Sequence, residues 1–151
     1  LGVSVAELNN KLTDYSCFVF TNNAQTISNK TYKAITFENE RYDTANMHDN
    51  NTDNTKVTIQ GTGGKYIITA CVSFVPNQNG YREIQIAING IAVATSRQSA
   101  ISSVGTPLTL TFFRDISPGQ HIEIFVRQDS GGDLLVAGGV YNTYLSVYKL
   151  M

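Results

Sequence analysis

Two histidines and two cysteines are the side chains of this 151-residue chain best suited to nucleophilic or proton-transfer chemistry. A hydrolytic centre needs a nucleophile within reach of a base that a third group orients. Neither His48 nor His121 is accompanied by a Gly-x-Ser-x-Gly elbow, and His121 opens an alternating segment that places it at an exposed strand edge. Cys17 and Cys71 each lie in an apolar, strand-like run and read as buried free thiols. Gly61-x-Gly63-Gly64 leads into a strand and offers no helix N-terminus to a phosphate. No pair of carboxylates stands out as a glycosidic acid and base. The polar stretch 43–55 is the one constellation left. Asp43, Asp49 and Asp53, with Asn50, Asn51 and Asn54 beside them, are oxygen donors of the kind Ca²⁺ accepts. Their spacing is not that of an EF-hand, and Asn/Asp clusters also form turns. The loop is expected to bond to itself, with Ca²⁺ the only cofactor worth a test, and no enzyme is expected.

The elements that must position these residues are strands. Apolar residues make up 42% of the chain, enough for a core, while charged residues are only 15%. The polar balance comes from Asn, Thr and Ser, which favour strands and turns over helix interiors. Eleven basic against twelve acidic residues leave a net charge of −1, which demotes nucleic-acid binding by phosphate neutralisation. No apolar run approaches the roughly 20 residues a membrane-crossing helix needs, so no membrane insertion is expected.

From Tyr15 onward the pattern has period two. Segments 15–21, 32–38, 56–60, 65–75, 107–113, 121–128, 133–137 and 142–150 read as strands. Between them, Ile84, Ile86 and Ile88 alternate with polar partners, Asn89-Gly90 follows, and Ile91 and Val93 resume the alternation. Asn-Gly between alternating strands is a hairpin signal, because both turn residues must take positive φ. Nine or ten strands with regular turn signals argue for a two-sheet sandwich or barrel. The first residues differ: Leu1, Val5, Leu8, Leu12 and Tyr15 are spaced by 4, 3, 4 and 3, the seam of a coiled coil. Two heptads are too few to stand alone. Residues 1–14 therefore read as the end of an oligomeric stalk and 15–151 as the head, in a chain that begins with Leu and reads as a piece of a longer polypeptide.

Several stretches of the head stand together in a known order. Cys17-Phe18-Val19-Phe20 precedes Ile35-Thr36-Phe37 and Glu40-Arg41-Tyr42-Asp43-Thr44. Gly64-Lys65-Tyr66-Ile67-Ile68, Ile88-Asn89-Gly90, Ile116-Ser117-Pro118-Gly119-Gln120, Val126-Arg127-Gln128-Asp129 and Tyr144-Leu145-Ser146-Val147 follow. In this order the chain resembles the C1q/TNF-like jelly-roll domain, in the form found in phage and bacterial surface proteins. Gln120 and Leu145 depart from the family pattern, and the heptad stub stands where a collagen-like run would. The resemblance implies an all-β, ten-stranded jelly-roll sandwich assembled as a homotrimer. It also implies that Ile67, Thr69, Cys71, Tyr144, Ser146 and Tyr148 face neighbouring subunits, with Tyr66, Ile68, Leu145 and Val147 between the sheets. Apolar residues on both faces of 65–75 suit a strand covered on both sides.

The expected function is binding: a trimeric head at the tip of a virion or bacterial surface fibre, outside the cell, attaching to a host or partner surface glycan or protein. A purely structural head that registers and caps the fibre is the alternative. Tyr42, Tyr81, Arg82, Arg127, Asp129 and Tyr141 are the candidate ligand contacts, as aromatic or isolated charged residues in otherwise neutral strands and turns.

Overall fold

The computed structural model describes residues 2–12 and 14–150, without the side chains of residues 9–12. One short helix, α1 (Val5–Leu12), precedes twelve strands. These are β1 (Ser16–Phe20), β2 (Gln25–Ile27), β3 (Lys33–Ala34), β4 (Asn39–Asp43), β5 (Val57–Thr58), β6 (Gly64–Phe74), β7 (Tyr81–Ile88), β8 (Ile91–Ser99), β9 (Thr106–Ile116), β10 (His121–Gln128), β11 (Leu134–Val136) and β12 (Tyr144–Lys149). The count exceeds the expected ten because short pairings form inside polar stretches. β2 lies in the Asn/Thr/Ser-rich segment 22–31, where Gln25 and Ile27 are buried and pair with β11. Segment 32–38 keeps only two ladder residues, since Gln25 takes over the backbone of Thr36 with a reciprocal amide pair of 2.8 and 3.0 Å.

The strands form two antiparallel sheets. The first joins β2, β11, β6, β12, β1 and β4, with β9 along the other edge of β6; the second runs β3, β10, β7, β8, with β5 on β10. The core lies between them. Tyr66, Ile68, Ala70 and Val72 of β6, Cys17 and Val19 of β1, and Leu145 and Val147 of β12 face Ile84, Ile86, Ile122, Ile124 and Val126 of the second sheet, all buried. Period-two alternation produces this arrangement, each successive side chain leaving by the opposite face. Asn89 and Gly90 turn the β7–β8 hairpin with φ of 50° and 79°, as the Asn-Gly pair requires. A β-bulge between Ile86 and Ala87 then shifts the register of that hairpin by one residue.

α1 opens with a capping box: the Ser4 amide donates to Glu7 Oε2 at 2.7 Å and the Glu7 amide to Ser4 Oγ at 3.1 Å. Of the heptad positions, Val5 and Leu8 stay 76% and 48% exposed, uncovered by the head. Leu1 and the Leu12 side chain lie outside the described residues. Tyr15 stands beyond the helix and belongs to the head, packed against the core with Lys149 over its ring at 4.8 Å.

Candidate functional site

The outer face of the first sheet is built by the residues that alternate with the core. Across it, one row sets Phe113, Ile67, Tyr148 and Ser16 side by side; the next sets Thr111, Thr69, Ser146, Phe18 and Tyr42; the third, Thr109, Cys71, Tyr144 and Phe20. Phe18 stacks on Tyr144 at 5.1 Å and meets Tyr42 at 6.1 Å. Phe113, Tyr148 and Tyr42 are 62%, 51% and 41% exposed. The face is aromatic with hydroxyls between, and charges keep to its margins, where Lys65 pairs in register with Asp115 and Arg41 lies over the Phe18 ring at 5.4 Å. Ile67, Thr69, Cys71, Tyr144, Ser146 and Tyr148 thus share one surface, while Tyr66, Ile68, Leu145 and Val147 lie in the core. At the end of this face away from Ser16, Cys71, Val104, Pro107, Tyr141 and Asn142 line a recess of about 460 Å³, with Tyr141 itself 81% exposed.

The other ligand candidates separate. Tyr42 belongs to the first sheet, Tyr141 to the recess, and Tyr81, Arg127 and Asp129 to the outer side of the second sheet. Arg82 is a correction: expected among the solvent-facing charges, it is fully buried. Its Nη1 donates to the carbonyls of Asn79 and Tyr81 at 2.8 and 3.1 Å and its Nη2 to that of Asn77 at 3.1 Å, while Phe74 lies beneath at 5.7 Å. It shares the inward parity of Ile84 and Ile86, so it fastens the 77–81 turn from inside. Asp129 is spent locally as well, accepting the Tyr81 amide at 2.6 Å.

Around Tyr81 and Arg127 the second sheet gathers residues that sequence reasoning did not join. Arg127, Glu83 and Arg97 stand side by side on β10, β7 and β8. Glu83, only 1% exposed, accepts Arg97 Nε and Nη2 at 2.9 and 2.6 Å and Gln85 Nε2 at 3.1 Å. The same carboxylate raises the pKa of the Tyr32 hydroxyl. Arg97 lies over the Tyr81 ring at 4.2 Å; Arg127 lies 5.5 Å from Tyr81 and 5.6 Å from Tyr32.

The loop 43–55 turns on its own acids. Asp43 accepts the amides of Met47 and His48 at 2.8 and 3.0 Å, and Asp49 those of Asn51 and Thr52 at 2.8 and 2.9 Å. These bonds hold the Asp49 carboxyl below its ordinary pKa. Asp53 takes positive φ, and its backbone carbonyl accepts the Lys56 amide at 3.0 Å. Among the described residues no group of three or more His, Cys, Asp or Glu is arranged to hold a metal, so Asp43, Asp49 and Asp53 do not gather into a Ca²⁺ site. His48 is buried between Glu40 Oε1 and the Asn54 carbonyl, each at 3.1 Å. His121 is half-buried, 3.3 Å from Glu123. Cys17 and Cys71 are buried free thiols, and burial raises the pKa of both.

No family model matches the sequence, and no curated protein is similar to it. Solved structures are similar in fold. Murine APRIL at pH 8.5 superposes with a TM-score of 0.69 at 12% identity, over 91% of this chain and 99% of that one. The fold is C1q/TNF-like. The Eiger TNF from S. frugiperda gives a TM-score of 0.67 at 11% identity over 92% and 94% of the two chains. The globular domain of zebrafish complement 1qA gives 0.66 at 11% identity over 90% and 97%. In this C1q/TNF-like sandwich the aromatic outer face belongs to the sheet of β1, β6, β9 and β12, and the Arg127 cluster to the opposite sheet.

Proposed function

We propose that this chain is a homotrimeric binding head, with the outer face of the first sheet as the contact between copies. The observation that carries the reading is that face: Phe18, Ile67, Phe113, Tyr144 and Tyr148 form a continuous uncharged surface with charges only at its margins. An apolar centre inside a polar rim is the anatomy of a protein–protein contact, and an exposed patch of this kind marks one. The resemblance to C1q/TNF-like domains supplies the threefold symmetry. The opposite sheet and the loops are then left for a ligand, a surface glycan or protein, with three weak sites on one rigid head acting through avidity. The heptad spacing of Leu1, Val5, Leu8 and Leu12 supports a setting at the end of a stalk, on a virion or bacterial surface fibre outside the cell. Light scattering of residues 1–151 tests the assembly: a mass near three times 16.5 kDa is expected, and a monomer overturns it. A trimer that adheres to no cell or glycan surface would reduce the head to a fibre cap.

A further inference from the structure

We infer that Arg127, held between Tyr32 and Tyr81 on the outer face of the second sheet, is the receptor for the carboxylate of an acidic sugar. The inference rests on the binding-head reading above and names its ligand class and site.

The argument begins with charge. Arg127 and Arg97 flank a single carboxylate, Glu83, in one cross-strand row. Glu83 gives its acceptor capacity to Arg97 and Gln85. Asp129, the next acid along the strand end, spends Oδ1 on the Tyr81 amide. The Arg127 side chain is left half-buried, with no hydrogen bond or ion pair among the described residues. A partly desolvated guanidinium normally finds an acceptor, because leaving its charge unpaired is costly. Its two aromatic neighbours hold it in place without satisfying its N–H donors.

Geometry and count then select the ligand. A guanidinium fork matches a planar carboxylate bidentately, which an ammonium would not. Arg97 is paired with Glu83, and Arg127 is the one cation of the row without a salt-bridge partner; with Glu83 and Asp129 nearby the cluster sums to zero, which disfavours a polyanion and leaves room for a single carboxylate at Arg127. Tyr32 is 47% exposed, so part of its ring stays open beside the guanidinium to receive the C–H face of a pyranose. A peptide carboxylate would use the fork and leave that ring idle.

The test titrates the whole chain with galacturonate, galactose and N-acetylglutamate, followed by saturation-transfer NMR, with the oligomeric mass measured in parallel. Galacturonate is expected to bind and galactose, its neutral counterpart, to bind at least tenfold more weakly. Arg127→Gln should weaken galacturonate at least tenfold, Arg127→Lys by a similar order, and Tyr32→Ala by less, all with unchanged mass; the thermal midpoint should fall little in the two Arg127 variants, since the Arg127 side chain makes no hydrogen bond to the fold. Thr95→Ala on the same sheet should change nothing. Galacturonate binding unaltered in Arg127→Gln, or no binding to a chain of threefold mass, would overturn this site while leaving the assembly standing. N-acetylglutamate binding as tightly as galacturonate would overturn the sugar assignment. A monomer that still binds galacturonate through Arg127 would uphold the site and overturn the assembly.

Discussion

At the scale of single residues, Arg82 shows how one buried side chain can fasten the turn that precedes its own strand. Its guanidinium gathers three carbonyls of the 77–81 turn inside the barrel of side chains that forms the core. Arg82→Ala removes those three bonds and the packing of a fully buried side chain on Phe74, and is expected to lower unfolding free energy by about 2–4 kcal/mol in denaturant titration. Arg82→Lys should recover little of it, because an ammonium cannot reproduce the fork. The burial of Arg82 was legible in the sequence, since it has the same parity as Ile84, Ile86 and Ile88; reading its charge ahead of its parity is what misplaced it. Buried ionisable groups also set an alkaline limit. Burial raises Cys17 from its ordinary value of 9.0, and burial with the nearby Tyr15 pushes Tyr66 from 10.0 up to about 12. Both groups fold in their neutral forms, so their contribution is complete below the ordinary values and is lost as pH rises through the folded ones. The denaturation midpoint should therefore hold to about pH 9 and fall above it. In Tyr66→Phe the part of that fall between pH 10 and 12 should shrink.

At the scale of elements, strand periodicity and turn chemistry carried most of the fold. The Asn89-Gly90 hairpin, the inward isoleucines of β10 and the alternation of β6 follow from residue type and spacing alone. The cluster at Glu83 did not, and the reason is one inserted residue. Counting back from a two-residue turn sets Glu83 opposite Ser96 and Arg82 opposite Arg97. The bulge at Ile86/Ala87 moves Arg97 opposite Glu83 instead. Nothing in Ile86-Ala87 announces a bulge, and Tyr32 and Arg127 arrive from strands distant in sequence. The heptad stub belongs to this scale as well. α1 has eight residues, with Val5 and Leu8 exposed, too short to hold three chains by itself. Removing residues 1–14 is expected to leave the mass by light scattering near threefold. A fall to monomer would make the head a passenger on its stalk.

At the scale of the whole molecule, the proposed surfaces for association and recognition lie on opposite sheets. Ser146 sits mid-row on the outer face of the first sheet, between Thr69 and Phe18 in register. Ser146→Arg puts a charge in the uncharged centre without touching the core, and should reduce the mass to that of one chain. Thr95→Arg, on the outer face of the second sheet, should leave it unchanged. Size-exclusion with light scattering reads both, and retention of the threefold mass by Ser146→Arg would count against the proposed contact. The ordered strand motifs were enough to infer the sandwich and to place Ile67, Thr69, Cys71, Tyr144, Ser146 and Tyr148 on one surface. Which charged residues remained unpaired depended on side-chain geometry that no spacing encodes.

β8 closes one side of the second sheet, with no strand of the described residues beyond it in the sheet order. A flat, greasy margin there would invite other molecules to add strand upon strand. Thr95, Ser96, Arg97, Gln98 and Ser99 make the margin polar, and the bulge in the same hairpin twists it out of plane. Both features discourage such templating. Residues 95–99 therefore make their half of this border a poor template for strand addition between crowded copies.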